Sequence, residues 1–114
     1  MNNYYIKVVL LDNCPYSIKL EHLIEQNKII NKKIIRVDYS NKNLYKSNLI
    51  NTFPQVYLNK YNSNGNLLLG GYEDFNNFIK IFKNKELNSN EINNFIKNKK
   101  WSRKATLRLI QLIN

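Results

Sequence analysis

The sequence predicts a mixed α/β domain, a four-stranded sheet built in the order β-α-β-α-β-β-α with helices on both faces, followed by a helical extension. Three observations predict it. Tyr4–Leu11 (YYIKVVLL) is apolar on both alternating faces, as suits a central strand buried on two sides. A helix-period run separates it from a second apolar stretch, and a crossover helix makes two such strands parallel. A turn-rich hairpin then leads into Phe75, Phe78, Ile79 and Phe82 at i, i+3, i+4 and i+7, the spacing of an amphipathic helix.

The elements follow in chain order. After the first strand, Asp12-Asn13 makes a turn. Over residues 15–27, Ile18, Leu20, Leu23 and Ile24 recur at helical spacing. Pro15 is favoured at the first helical position, where an N–H would have no helical partner in any case. Residues 34–39 (IIRVDY) read as a second strand, and residues 41–51, polar with Leu44, Leu49 and Ile50, as a short helix. Residues 53–59 (FPQVYLN) and Leu67-Leu68-Leu69 are joined by Tyr61-Asn62-Ser63-Asn64-Gly65-Asn66 into a β-hairpin. Gly70-Gly71 then breaks the chain before the Phe75–Phe82 stripe. Beyond it, Ser89 before Glu91-Ile92 marks a helix start with Ile92, Phe95 and Ile96 as its apolar face. Trp101, Leu107, Ile110, Leu112 and Ile113 suggest another helix. No Gly or Pro linker intervenes, so residues 85–114 read as an extension packed on a domain of residues 1–84.

The 114 residues are enough to bury a core without metals or disulfides. No apolar run approaches the ~20 residues of a membrane span, so no membrane partner is expected. The N-terminus has one Lys before its apolar run and no small-residue cleavage site, so it reads as a strand and not a signal peptide. A cytoplasmic, reducing compartment is the expectation. The net charge of +10 comes almost entirely from Lys spread along the chain beside abundant Asn and Ile, the composition an AT-rich genome imposes on any fold. Only Lys97, Lys99, Lys100, Arg103, Lys104 and Arg108 cluster, and with no nucleic-acid motif beside them they read as a solvated basic face.

The chain has one cysteine, Cys14, immediately before the proline-initiated helix. Free backbone N–H groups and the positive end of the helix dipole favour an anion there, which is the physical recipe for a nucleophilic thiolate. A free cysteine is equally well a small buried hydrophobe. Its position at the exit of a central strand favours reactivity, because open α/β sheets bind ligands outside the carboxyl ends of their strands. Pro54 opens an otherwise core-like strand, which places it at an edge, at a bulge or after a cis bond. Glu73 and Asp74 stand at a helix start, where capping is the ordinary role for Asp74. His22 is a lone mid-helix histidine, and with no second Cys or His nearby it offers no zinc site within one chain.

Cys-Pro-Tyr-Ser, Thr-Phe-Pro-Gln-Val and Gly-Gly-Tyr-Glu-Asp-Phe stand in this order on the expected elements, and together they resemble a glutaredoxin of the thioredoxin superfamily over about residues 4–82. CPYS differs by one atom type from the family's CPYC, TFPQV is similar to its TVPQV, and GGYEDF looks like its GG-x-x-D signature. The resemblance implies a thioredoxin-like fold and glutathione as co-substrate. It makes Cys14 the nucleophile and sets Tyr16 beside the glutathione groove. Phe53, before a cis Pro54, would offer its backbone to the cysteinyl part, with Thr52 next to it. Glu73 and Asp74 would bind the γ-glutamyl end, and Gly70 and Gly71 would allow close backbone approach.

Three departures stand out. The family's usual basic residue three positions before the cysteine is Leu11 here, and a frequent basic position before Thr-Val-Pro is Asn51. Lys7, Lys19 and Lys46 are the candidate substitutes. Ser17 replaces the second cysteine, so the implied route is monothiol: Cys14 attacks a protein–glutathione mixed disulfide, and a second glutathione regenerates it. Ser17 Oγ remains able to donate a hydrogen bond to the thiolate. The implied substrates are glutathionylated proteins or small disulfides, handled by a monomer. Two other readings stay open. One is a homodimeric [2Fe–2S] carrier holding its cluster through Cys14 of each copy and two glutathiones, against which the stiff Pro15 counts. The other is an interaction module of weak catalytic power.

Overall fold

The computed structural model describes residues 3–99 and 101–114. Its elements are β1 (Tyr4–Leu11), α1 (Pro15–Gln26), β2 (Lys32–Val37), β3 (Gln55–Lys60), β4 (Asn66–Gly70), α2 (Tyr72–Phe82), α3 (Ser89–Ile96) and α4 (Arg103–Ile113). The sheet order is β2-β1-β3-β4. β1 runs parallel to β2, with Val8 opposite Ile34, and antiparallel to β3, with Val8 opposite Val56. β3 and β4 are antiparallel, with an irregularity between Val56 and Tyr57. This is a mixed α/β architecture with β1 inside the sheet, as its doubly apolar sequence requires.

Alternation along β1 sends Ile6, Val8 and Leu10 into one core with Val56 and Leu58 of β3, Leu20 and Ile24 of α1, and the Phe75, Phe78, Ile79 and Phe82 stripe of α2. Full burial of each such side chain contributes about 1.5–3 kcal/mol relative to exposure. The same core takes Ile92 from α3 and Leu109, Ile110, Leu112 and Ile113 from α4. Within α1, Leu20 and Ile24 are buried, whereas Ile18, counted with them by spacing, is 48% exposed.

The expectation of helices on both faces is corrected. Every strand residue in the shared core has the parity of Ile6, Val8 and Leu10, so all four helices lie on that side. Residues 41–51, expected to form a short helix, form only a 3-10 turn at Lys42–Tyr45, and Leu44 and Leu49 are exposed. The cause is local competition for backbone groups. Asp38 accepts from the Ser40 hydroxyl and the Asn41 N–H, which holds its carboxyl below the usual range. Ser47 Oγ accepts from the N–H groups of Leu49 and Ile50. Buried Gln55 anchors this loop, its Nε2 donating to the carbonyls of Tyr45 and Thr52 while Oε1 accepts from Tyr57. Burial pushes the Tyr57 phenol up.

The extension is tied to α2 by aromatic rings. Phe78 meets Phe82, Phe95 and Trp101 at centroid distances of 4.8, 5.4 and 5.9 Å. Trp101 precedes α4, which is capped by Ser102 through the Ala105 N–H. At the other end Lys83 donates to the carbonyls of Asn27 and Ile113, a cation set against the carboxyl ends of α1 and α4. Three residues of the basic cluster read from the sequence have partners within the fold. Lys99 turns to Asp74, Arg103 donates to Asn93, and Arg108 lies over the Tyr4 ring. Lys100 lies outside the described residues. Among the described residues no helix is long and apolar enough to cross a membrane.

Candidate functional site

The first turn of α1 is built by the chain itself. β1 ends at Leu11, Asn13 takes a left-handed φ of 60°, and Cys14 becomes the extended N-cap of α1. The Cys14 N–H donates to the Leu11 carbonyl at 3.3 Å, and its own carbonyl accepts from Ile18 at 3.0 Å. The cap makes no side-chain hydrogen bond, so no side chain claims the first-turn N–H groups beside the sulfur. Cys14 Sγ is half-buried and lies 3.9 Å from the Phe53 carbonyl oxygen. The loop before β3 therefore meets the thiol directly.

Phe53 opens a cleft of about 570 Å³ lined by Tyr16, Leu49, Ile50, Thr52, Phe53, Pro54, Leu68, Gly70, Gly71, Tyr72, Glu73 and Asp74. The residues that the resemblance groups thus lie along one concavity, with Cys14 at its edge. The Phe53–Pro54 bond is cis. Tyr16 is half exposed, 6.1 Å from the Tyr72 ring, with Lys19 Nζ 5.2 Å above it. At the far end Gly70 has φ 130°, and a Cβ there would sit 2.1 Å from Asp74 Oδ2. The close approach that requires a glycine at 70 is therefore one made by the protein's own carboxylate. Asp74 Oδ2 accepts from the Gly71 N–H at 3.0 Å. Glu73 and Asp74 complement the positive end of α2 from its first turn.

Ser17 is 2% exposed, and its Oγ accepts the Leu11 N–H at 3.0 Å. It joins the end of β1 to the first turn of α1, and its hydroxyl proton is not consumed by that bond. Leu11 is half-buried and Asn51 exposed, so neither supplies a cation. Of the candidate substitutes, Lys7 is spent on the open face of the sheet, donating to Asn66 and lying over Tyr57. Lys46 is exposed on the loop, and Lys19 sits on Tyr16. A lysine not among them reaches the acidic end: Lys99 Nζ is 3.8 Å from Asp74 Oδ1. No local pattern pointed to it, because the contact spans most of α2 and all of α3. His22 is exposed on α1. Among the described residues no group of three or more His, Cys, Asp or Glu side chains is placed to hold a metal ion.

Comparisons with protein-family models, with curated proteins and with solved structures found no match to this chain.

Proposed function

We propose that this chain is a glutathione-dependent thiol–disulfide oxidoreductase of glutaredoxin type, with a thioredoxin-like fold and Cys14 as its nucleophile. One observation carries the reading: the only thiol of the chain caps a helix, has no competing side-chain cap, and touches the carbonyl of Phe53 at the edge of a 570 Å³ cleft. The strand order β2-β1-β3-β4, with α1 crossing from β1 to parallel β2, supports the fold assignment. The agreement of three short motifs with one cleft supports the chemistry.

In the proposed reaction the Cys14 thiolate attacks the glutathione sulfur of a protein–glutathione mixed disulfide. That S–S bond breaks, and the protein leaves as a thiolate that takes a proton from water. Glutathione is then held on Cys14 through a new disulfide. A second glutathione thiolate attacks the glutathione sulfur, releasing oxidised glutathione and restoring the Cys14 thiolate. One reduced glutathione is consumed per protein thiol released, and the glutathione that entered on the protein leaves as the other half of oxidised glutathione. With serine at position 17 no internal disulfide competes with this route. Tyr16, Phe53 and Pro54 would hold the cysteinyl part, Thr52 and Gly71 flank it, and Glu73 and Asp74 face the γ-glutamyl end.

The test is reduction of hydroxyethyl disulfide by glutathione, coupled to glutathione reductase and NADPH. The wild-type chain should turn over and Cys14→Ser should not. Equal rates for the two, or an inert wild type, would sink the proposal.

A further inference from the structure

With every helix on the side of Ile6, Val8 and Leu10, the other face of the sheet has no helical layer. At the end nearer Cys14, Val9, Val37 and Gln55 are buried, and Gln55 is bonded to the 38–54 loop that covers them. At the opposite end the face stays open: Lys33 is exposed, Tyr61 is 46% exposed, and Tyr5, Lys7 and Tyr57 are half-buried. Its charge is of one sign. The four strands carry no Asp or Glu, and Lys7, Lys33 and Lys60 have no carboxylate partner among the described residues.

Aromatic rings stand between these charges and are held from behind. Tyr5 and Tyr61 pack 4.6 Å apart with their planes 33° from parallel. The Tyr61 N–H donates to the Asn3 carbonyl at 2.8 Å, and the Tyr5 hydroxyl accepts from Asn59 Nδ2 at 3.3 Å. The Lys7 ammonium lies 4.8 Å from the Tyr57 ring centre. Tyr5 and Tyr61 border a hollow of about 390 Å³ whose other walls are Lys32, Lys33, Lys60 and residues 62–64, within the size range of small-ligand sites. None of these lysines belongs to the cluster between residues 97 and 108. They come together only through the pairing of β1 with β2 and β3.

We infer that this open end of the sheet binds single-stranded nucleic acid, a base stacking on Tyr61 with Tyr5 behind it and the flanking phosphates meeting Lys7, Lys33 and Lys60. An exposed ring accepts the flat face of any base, and ammonium groups without protein partners neutralise the backbone. A duplex keeps its base faces inside its own stack, and a lipid surface offers charge with no ring to stack. The combination of rings and unpaired cations therefore selects a single strand. This surface lies where β1 begins, whereas Cys14 follows the end of β1, so the two can be occupied together. The inference does not rest on the thiol chemistry.

Fluorescence anisotropy of the full chain with labelled oligothymidylate and oligouridylate of about 12 nucleotides tests it. The wild type should bind both, log affinity falling against log salt with a slope of about −2, the sum of roughly −0.7 for each of three phosphate contacts. Lys33→Gln and Lys60→Gln should each make the slope shallower by about 0.7, and Lys80→Gln, on α2, should leave it unchanged. Tyr61→Ala should weaken binding about tenfold at an unchanged slope, and Tyr61→Phe, which keeps the ring, should bind like the wild type. No binding of either strand at about 50 mM salt overturns the inference. Full affinity in Tyr61→Ala, or an equal loss of slope in Lys80→Gln and Lys33→Gln, also overturns it by reducing the binding to overall positive charge. Capture by phosphatidylserine vesicles with neither oligonucleotide bound overturns it in favour of a membrane surface.

Discussion

The two ends of the cleft solve opposite problems. The thiol end is built almost without charge: Cys14 is positioned by backbone bonds to Leu11 and Ile18, by the buried Ser17, and by the Phe53 carbonyl. The acidic end is built from charge: Asp74 against Lys99, with glycines that let a carboxylate fold back onto its own helix start. The first is local, contained within the β1–α1 turn and one loop. The second is assembled across the molecule and depends on α3 and the Trp101 segment to bring Lys99 in. One short segment and one loop suffice for the first arrangement, whereas the second pairs charges that no single short segment supplies.

If the acidic end depends on the extension, the extension must belong to the core in energy as well as in geometry. Leu109 of α4 and Leu20 of α1 are both fully buried. Leu109→Ala should therefore destabilise the chain about as much as Leu20→Ala, by roughly 2–5 kcal/mol in urea unfolding. A cost below about 1 kcal/mol at Leu109 alone would make the extension a loosely attached appendage and break the comparison.

The thiol end is sharpened by Ser17→Ala. Losing Oγ leaves the part-buried Leu11 N–H without its acceptor, at a cost of about 1 kcal/mol. If Ser17 also donates to the Cys14 thiolate, glutathione turnover falls in the folded variant as well. Unchanged stability would show that the Leu11–Ser17 bond does not hold the turn.

The smallest expected effect lies outside both ends. The Arg36 guanidinium, donating to Glu21 across α1 and β2, holds the Glu21 carboxyl below its usual range. A carboxyl with a lowered folded value stabilises fully above its unfolded value and loses that contribution as pH falls through the folded one. Glu21→Gln should cost at most about 1 kcal/mol at pH 7, because the pair is exposed. The difference from wild type should vanish in acid and shrink in high salt. A difference that persists at low pH would assign the effect to packing.

Much of this arrangement is legible in the sequence because it is periodic. The doubly apolar β1, the hairpin and the α2 stripe each follow from spacing, and the Cys14 cap follows from Pro15. Residues 41–51 mislead because Asp38 and Ser47 bond locally and remove the backbone groups a helix needs. Ile18 misleads because helical spacing from Leu20 and Ile24 does not reach it. Lys99 is invisible to any local pattern, since its partner and its supporting rings are brought together only by packing α3 against α2.

The central claim is that Cys14 is a glutathione-reactive thiol, and intact-protein mass after treatment with oxidised glutathione tests it most directly. The account predicts a single added glutathione on the native chain, removed by reduced glutathione and absent from Cys14→Ser. A native chain that stays unmodified, while the urea-unfolded chain is labelled under the same treatment, would contradict it.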